Sequence, residues 1–179
     1  QVQYGSHDRY QGQFDLSGPI NEEDPVYYRL TGLLRSADTE QVGVPDDRAY
    51  IAPAFTWKPD EDTRLTILGE YSRTKTGGTA AYYYDAATGK VSDFFAGNPA
   101  FNDSVQNQGR IGYEFEHRFN EVFTFRQNAR ASWLNVDADW AFAYQPNATD
   151  PTLLDSSAGS FKEWMNTYTI DNQLEAKFE

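Results

Sequence analysis

The sequence has no cysteine and a single methionine. Neither a disulfide framework nor a thiolate metal site is therefore open to it. Its two histidines, His7 and His117, stand far apart and without a carboxylate or second histidine at ligand spacing, so no protein-held metal centre is expected. Positive charge is scarce: 15 Lys and Arg stand against 27 Asp and Glu, a net charge of −12. That balance argues against a nucleic-acid backbone as partner. No apolar run approaches the ~18 residues of a transmembrane helix, but a spanning strand needs only about 9–11 alternating residues and is not excluded. No Ser/His/Asp set and no paired carboxylates stand out, so no enzyme and no cofactor is expected.

Aromatic residues are abundant: 12 Tyr, 12 Phe and 4 Trp in 179 residues, room for one sizeable domain. They recur with a period of two. The clearest stretch is 50–71, YIAPAFTWKPDEDTRLTILGEY. Ile51, Pro53, Phe55 and Trp57 share one face, with Tyr50, Ala52, Ala54 and Thr56 on the other. After a turn over Pro59–Thr63, Leu65, Ile67, Gly69 and Tyr71 oppose Thr66, Glu70 and Ser72. Side chains alternate across a strand, so this is a hairpin signal. The proline fixes φ in the turn, and the short carboxylates bond their own backbone there.

The same plan repeats along the chain. Strands are expected at 2–4, 9–18, 26–35, 48–58, 64–73, 109–118, 123–136 and 167–179, eight in all, with no helix of any length. One face carries aromatics, aliphatics, Gly and Ala; the other mixes Arg and Glu, including Arg29, Arg126, Arg130, Glu114, Glu116 and Glu175. Connections at one end are short, at 19–25 (with the polar turn Asn21–Pro25), 59–63 and 119–122. At the other end three are long, at 41–47, 74–107 and 138–165, and only that at 5–8 is short. Short turns on one side and long loops on the other is the outer-membrane barrel pattern. Alternation already runs at Val2 and still runs from Leu174 to Glu179, which reads as a segment of a longer protein. Two alternatives share the pattern. A soluble β-sandwich alternates in the same way. Eight strands would also suffice for a small closed barrel with a structural role.

The strings QYGSHDRYQGQFDLSGPI (3–20), YYRLTGLLRSADT (27–39), YIAPAFTWKPDEDTRLTILGEY (50–71), GYEFEHRFNEVFTFRQNAR (112–130) and DNQLEAKF (171–178) together resemble the TonB-dependent siderophore receptors. The ferric-hydroxamate branch, of the ferrichrome and ferrioxamine type, is the best match. The resemblance implies an all-β fold: an antiparallel transmembrane barrel of about 22 strands plugged by an N-terminal domain. Residues 1–179 would be its first eight strands, without plug, TonB-binding segment or remaining strands. The implied function is uptake of a ferric hydroxamate siderophore across the bacterial outer membrane, energised through TonB. The implied partners are the siderophore, TonB, the plug, outer-membrane lipid, and phages or bacteriocins at the outer loops. The resemblance places ligand contacts on Trp140, Phe142 and Tyr144 in the last long connection, and on Tyr82, Tyr83 and Tyr84 in the one before it. Such a ligand keeps its iron wrapped in its own oxygens, so the receptor supplies aromatic area and a few donors rather than metal ligands.

Overall fold

A computed structural model describes residues 1–21, 25–79 and 82–178. Ten strands follow in order: β1 (Val2–Gly5), β2 (Arg9–Pro19), β3 (Val26–Ser36), β4 (Asp47–Trp57), β5 (Thr63–Thr76), β6 (Tyr82–Asp85), β7 (Lys90–Phe95), β8 (Ser104–Arg118), β9 (Phe123–Pro146) and β10 (Leu154–Ala176). One short 3-10 turn, Pro99–Phe101, interrupts them. Eight strands form a single antiparallel sheet, β1-β2-β3-β4-β5-β8-β9-β10, and β6 pairs with β7 in a separate hairpin. Residues 22–24 of the expected turn at 21–25, residues 80–81 of the long connection, and Glu179 of the last strand lie outside the described residues.

Each strand pairs with its sequence neighbour, except that β5 reaches past the β6–β7 hairpin to β8. β1 and β10 sit at opposite edges. The eight strands therefore do not close on one another, and the small autonomous barrel is set aside. So is the sandwich: among the described residues no second layer covers the apolar face. Among the described residues the buried apolar side chains are only Ala37, Ala138 and Ala141, while Tyr168 is 79 % and Ile170 65 % exposed. A water-soluble protein would cover such a surface; a wall facing lipid need not.

The register explains how that wall is built. Phe14, Gly32, Ile51, Tyr71, Gly109 and Trp133 stand opposite one another in a row across six strands. The two glycines of the row each lie beneath a ring, Gly32 under Phe14 and Gly109 under Trp133. A Cβ placed on Gly109 would lie 2.0 Å from the Trp133 ring, and one on Gly32 would lie 2.4 Å from Phe14. On β9 the outward positions from Phe123 to Trp133 span about 33 Å of strand at ~3.3 Å per residue, or about 25 Å along the membrane normal at a tilt of ~40°. That height matches the apolar band of an outer-membrane barrel.

The connections at one end are short, as the sequence suggests: six residues at most between Pro19 and Val26, then Lys58–Asp62 and Phe119–Val122. At the other end 138–165 is not a loop. β9 runs on to Pro146 and β10 starts at Leu154, paired almost throughout. Above the band the polarity of β9 reverses, with Leu134, Val136, Ala138 and Trp140 on the inward side and Asn135, Asp137 and Asp139 on the outward side, while its backbone pairing continues. The stretch 74–107 likewise contains β6, β7 and the 3-10 turn.

The glycine beneath Trp133 yields a test. Gly109→Val forces the indole off its resting place, and such overpacking costs about 1–3 kcal/mol. The variant is expected to unfold at lower urea than the parent in lipid vesicles, with Gly109→Ala intermediate. Equal midpoints would show that the ring does not rest on this strand.

Candidate functional site

The polar positions share one concave face. A hollow there is lined from β3 to β10, by Arg29, Tyr50, Glu70, Arg110, Arg130 and Asp171 among others. Opposite charges on neighbouring strands pair along it. Arg29 places Nε 3.0 Å and Nη2 2.7 Å from the two oxygens of Asp15. Arg110 pairs with Glu70, which also accepts from the Tyr50 hydroxyl at 3.4 Å. Arg126 bridges Glu116 and Glu175, reaching the latter at 2.7 Å. Of the charged residues on the polar face, Arg29, Arg126, Glu116 and Glu175 thus stand in ion pairs. Glu114 and Arg130 line the same hollow but make no ion pair among the described residues. His117 is engaged elsewhere: Nδ1 lies 2.9 Å from the Thr63 hydroxyl and its ring meets Phe119 edge-on at 4.8 Å.

Above the band, the inward positions of β9 turn aromatic. Trp140, Phe142 and Tyr144 follow at every second residue and so share one face. Trp140 stacks on Phe142 with centroids 5.6 Å apart, and Phe142 meets Tyr144 edge-on at 6.4 Å. Gly159, opposite Trp140 on β10, leaves room for the indole: a Cβ there would lie 2.6 Å from it. In this aromatic ladder, Trp140 and Phe142 sit on paired positions opposite Gly159 and Ser157, and Tyr144 follows at a bulge where the register shifts, still within β9 and not on a loop. Tyr144 is 52 % exposed.

The tyrosines of β6 divide. Tyr82 and Tyr84 share one face, opposite Phe95 and Val91 on β7, and Tyr83 takes the other. Tyr83 lines a small hollow with Val91, Phe94 and, from the tip of the ribbon, Leu154. The hairpin turn is fixed by Asp85, which accepts from the Ala87 amide at 2.9 Å and the Thr88 hydroxyl at 2.7 Å, and by Gly89 at φ +67. The hairpin lies beside β9, and its exit is tied to the ladder strand: Gly97 bridges Phe142, and Ala143 N–H donates to the Ala96 carbonyl at 2.8 Å. The sequence had a cue for this hairpin, an Asp-x-x-Thr-Gly turn between two aromatic runs, that the strand reading passed over.

The ribbon ends in a capped turn. Asn147 accepts from the amides of Thr149 and Asp150, each at 3.0 Å, and Asp150 accepts from the Thr152 hydroxyl at 2.6 Å. Asp155 is gripped by Gln145 at 3.0 Å and Asn147 at 2.7 Å. These donors, Gln145 first, hold the Asp155 carboxyl below the usual aspartate range.

An open antiparallel wall, apolar outside and ion-paired within, with a tall aromatic ribbon on one side, defines a segment of an outer-membrane β-barrel. No protein-family model matches the sequence. The chain is 30 % identical over 203 residues to the "Ferrichrome outer membrane transporter/phage receptor" of Escherichia coli K12, covering 99 % of this chain and 27 % of that protein. It is 31 % identical over 180 residues to the "Ferrioxamine receptor" of Yersinia enterocolitica, covering 96 % and 24 %. Among solved structures, it superposes on the P. aeruginosa receptor FpvA bound to a heterologous pyoverdine with a TM-score of 0.87 at 16 % identity, over 99 % of this chain and 24 % of that one. The ferric-catecholate import receptor Fiu of E. coli K12 gives 0.80 at 19 %, over 99 % and 30 %. The chain belongs to the TonB-dependent siderophore receptors of the bacterial outer membrane. It spans about a quarter of the length of the curated relatives it matches.

The grip on Asp155 makes the tip sensitive to acid. A carboxylate with a depressed folded pKa contributes stability above its unfolded value, and that contribution is lost as pH falls through the folded value. Protection of the 147–153 amides from hydrogen exchange is expected to hold through the ordinary aspartate range, near pH 4, and to fall only below it. Asp155→Asn is expected to reduce this step to the part that Asp150, held down by the Thr152 hydroxyl, contributes; an unchanged acid profile would show that Asp155 does not anchor the tip.

Proposed function

We propose that this segment forms one side of the outer mouth of a receptor that takes up a ferric hydroxamate siderophore. The observation that carries the reading is the stacked Trp140–Phe142–Tyr144 ladder on the inward face of a strand that stands above the apolar band. A ferric hydroxamate complex presents an apolar, rounded surface with its iron already ligated. Rigid rings hold such a body by contact area, and the Tyr144 hydroxyl adds a directional bond at little entropic cost. Tyr82 and Tyr84 on the neighbouring hairpin extend the aromatic surface, while Tyr83 and Leu154 line the same small hollow beside it. The iron complex is cargo, not a cofactor, and the segment performs no catalysis.

Transport belongs to the whole receptor. The unpaired edges of β1 and β10 require further strands, because lipid does not tolerate free backbone groups. A plug seated in the lumen, with Glu114 and Arg130 within reach as partners, and coupling to TonB complete the reading. The outer ribbon and hairpin also suit docking of a phage or bacteriocin. The E. coli relative is named a phage receptor, and a structural neighbour, FpvAI, was solved in complex with pyocin S2.

Truncating one central aromatic of such a contact costs ~1–2 kcal/mol, a factor of about ten in affinity. In the full-length receptor, Phe142→Ala and Tyr144→Ala are each expected to raise the Kd for a ferric trihydroxamate by about that factor, read by quenching of tryptophan fluorescence. Tyr144→Phe should lose less. Wild-type affinity in both alanine variants would remove the ladder from the ligand site.

A further inference from the structure

We propose that Asn102 is the positioning residue of this mouth: its side chain clamps the root of the β6–β7 hairpin and so fixes the tyrosines against the aromatic ladder. The proposal rests on the siderophore reading for what is positioned, but its geometry stands by itself. Asn102 is 2 % exposed, in a chain whose polar side chains mostly meet solvent. Its Oδ1 accepts from the Thr79 amide at 2.8 Å, and its Nδ2 donates to the Thr79 carbonyl at 3.2 Å. One side-chain amide thus takes both backbone groups of a residue three positions before Tyr82, as a neighbouring strand would.

The surroundings leave that root little freedom. A Cβ on Gly77 would fall 2.9 Å from Asn102 Nδ2 and 2.9 Å from Val44. One on Gly78 would fall 1.9 Å from the carbonyl oxygen of Asp139. Beside Asn102, Asp103 and Asp139 exchange backbone hydrogen bonds at 3.1 and 2.7 Å. Asp139 immediately precedes Trp140. The other root is tied through Gly97 to Phe142. Both ends of the hairpin therefore anchor on the part of β9 that carries the ladder. A two-stranded hairpin of four and six residues has little stability of its own, so its place is set by its roots. At the root that leaves β5, Asn102 is the side chain that bonds the Thr79 backbone among the described residues. A hairpin held in advance spares the ligand the cost of ordering it.

This segment has no cysteine of its own, so labels can be placed in it once any cysteine elsewhere in the full-length receptor is replaced by serine. Spin labels at Ala87→Cys, in the hairpin turn, and Asn135→Cys, on the outer face of β9, report the hairpin's position in the full-length receptor in lipid vesicles, without ligand. A single narrow distance distribution is expected for the parent. Asn102→Ala should broaden it about twofold or more and weaken binding of a ferric trihydroxamate about three- to tenfold, the cost of fixing a few side chains. Asn102→Asp keeps the acceptor for the Thr79 amide and should recover part of both effects. The urea midpoint of the barrel should not move, which separates positioning from folding. An unchanged distance distribution in Asn102→Ala overturns the proposal, as does a broadened one with parental affinity. If the parent binds no ferric trihydroxamate, the functional reading fails by itself, and the distance distribution still decides whether Asn102 holds the hairpin.

Discussion

Backbone pairing is the interaction on which everything else here depends. In hydrocarbon no water is present to satisfy an amide or carbonyl, so every such group must find a partner within the protein. The chain answers with long antiparallel ladders running from β1 to β10. Because the ladder supplies the order, the side chains need not build an interior. That is why the described residues bury only three alanines as apolar core. The large residues instead form an outward surface, and their packing is lateral, ring over glycine, within the row from Phe14 to Trp133.

The same ladder sorts charge. Inward positions pair Arg with Asp or Glu across adjacent strands, as in Asp15–Arg29 and Glu116–Arg126–Glu175. Individually such exposed pairs contribute little stability. Their effect lies in keeping the hollow polar while presenting few uncompensated charges on its wall. Glu114 and Arg130 depart from that rule. Higher up, the strand that carries Arg126 and Arg130 also carries Trp140, Phe142 and Tyr144. The candidate site is thus an extension of the wall itself, and sites on regular strands are held more accurately than sites on loops.

How much of this the sequence disclosed follows the membrane. Inside the band, one face must be apolar and the other polar, so Phe123 to Trp133 or Ile51 to Trp57 could be read as strands from period alone. Outside the band that contrast changes sides on β9, where Leu134, Val136 and Trp140 take the inward positions. Asp137, Asp139 and Lys162 occupy outward positions there, so the ribbon from 138 to 165 read as a loop although its backbone is paired. The motif resemblance names the aromatic candidates, but which of them stack on one another follows only from the fold. Period two separates Tyr83 from Tyr82 and Tyr84 once the stretch is known to be a strand. Nothing in the sequence distinguishes Asn102 from the other asparagines, because its role depends on Thr79 lying against it in space.

The strand order has a consequence for how such a wall comes into being. With one exception, every strand pairs with the strand made just before it, and the exception only steps over a self-contained hairpin. Loop closure over a few residues costs little entropy, and contacts between chain neighbours form quickly. Assembly can therefore proceed as a zipper, each new hairpin using the last exposed edge as its template. A wall grown that way is modular in steps of two strands. Its circumference can change over evolutionary time by adding or removing a hairpin, without rewriting the pairing of any strand already laid down.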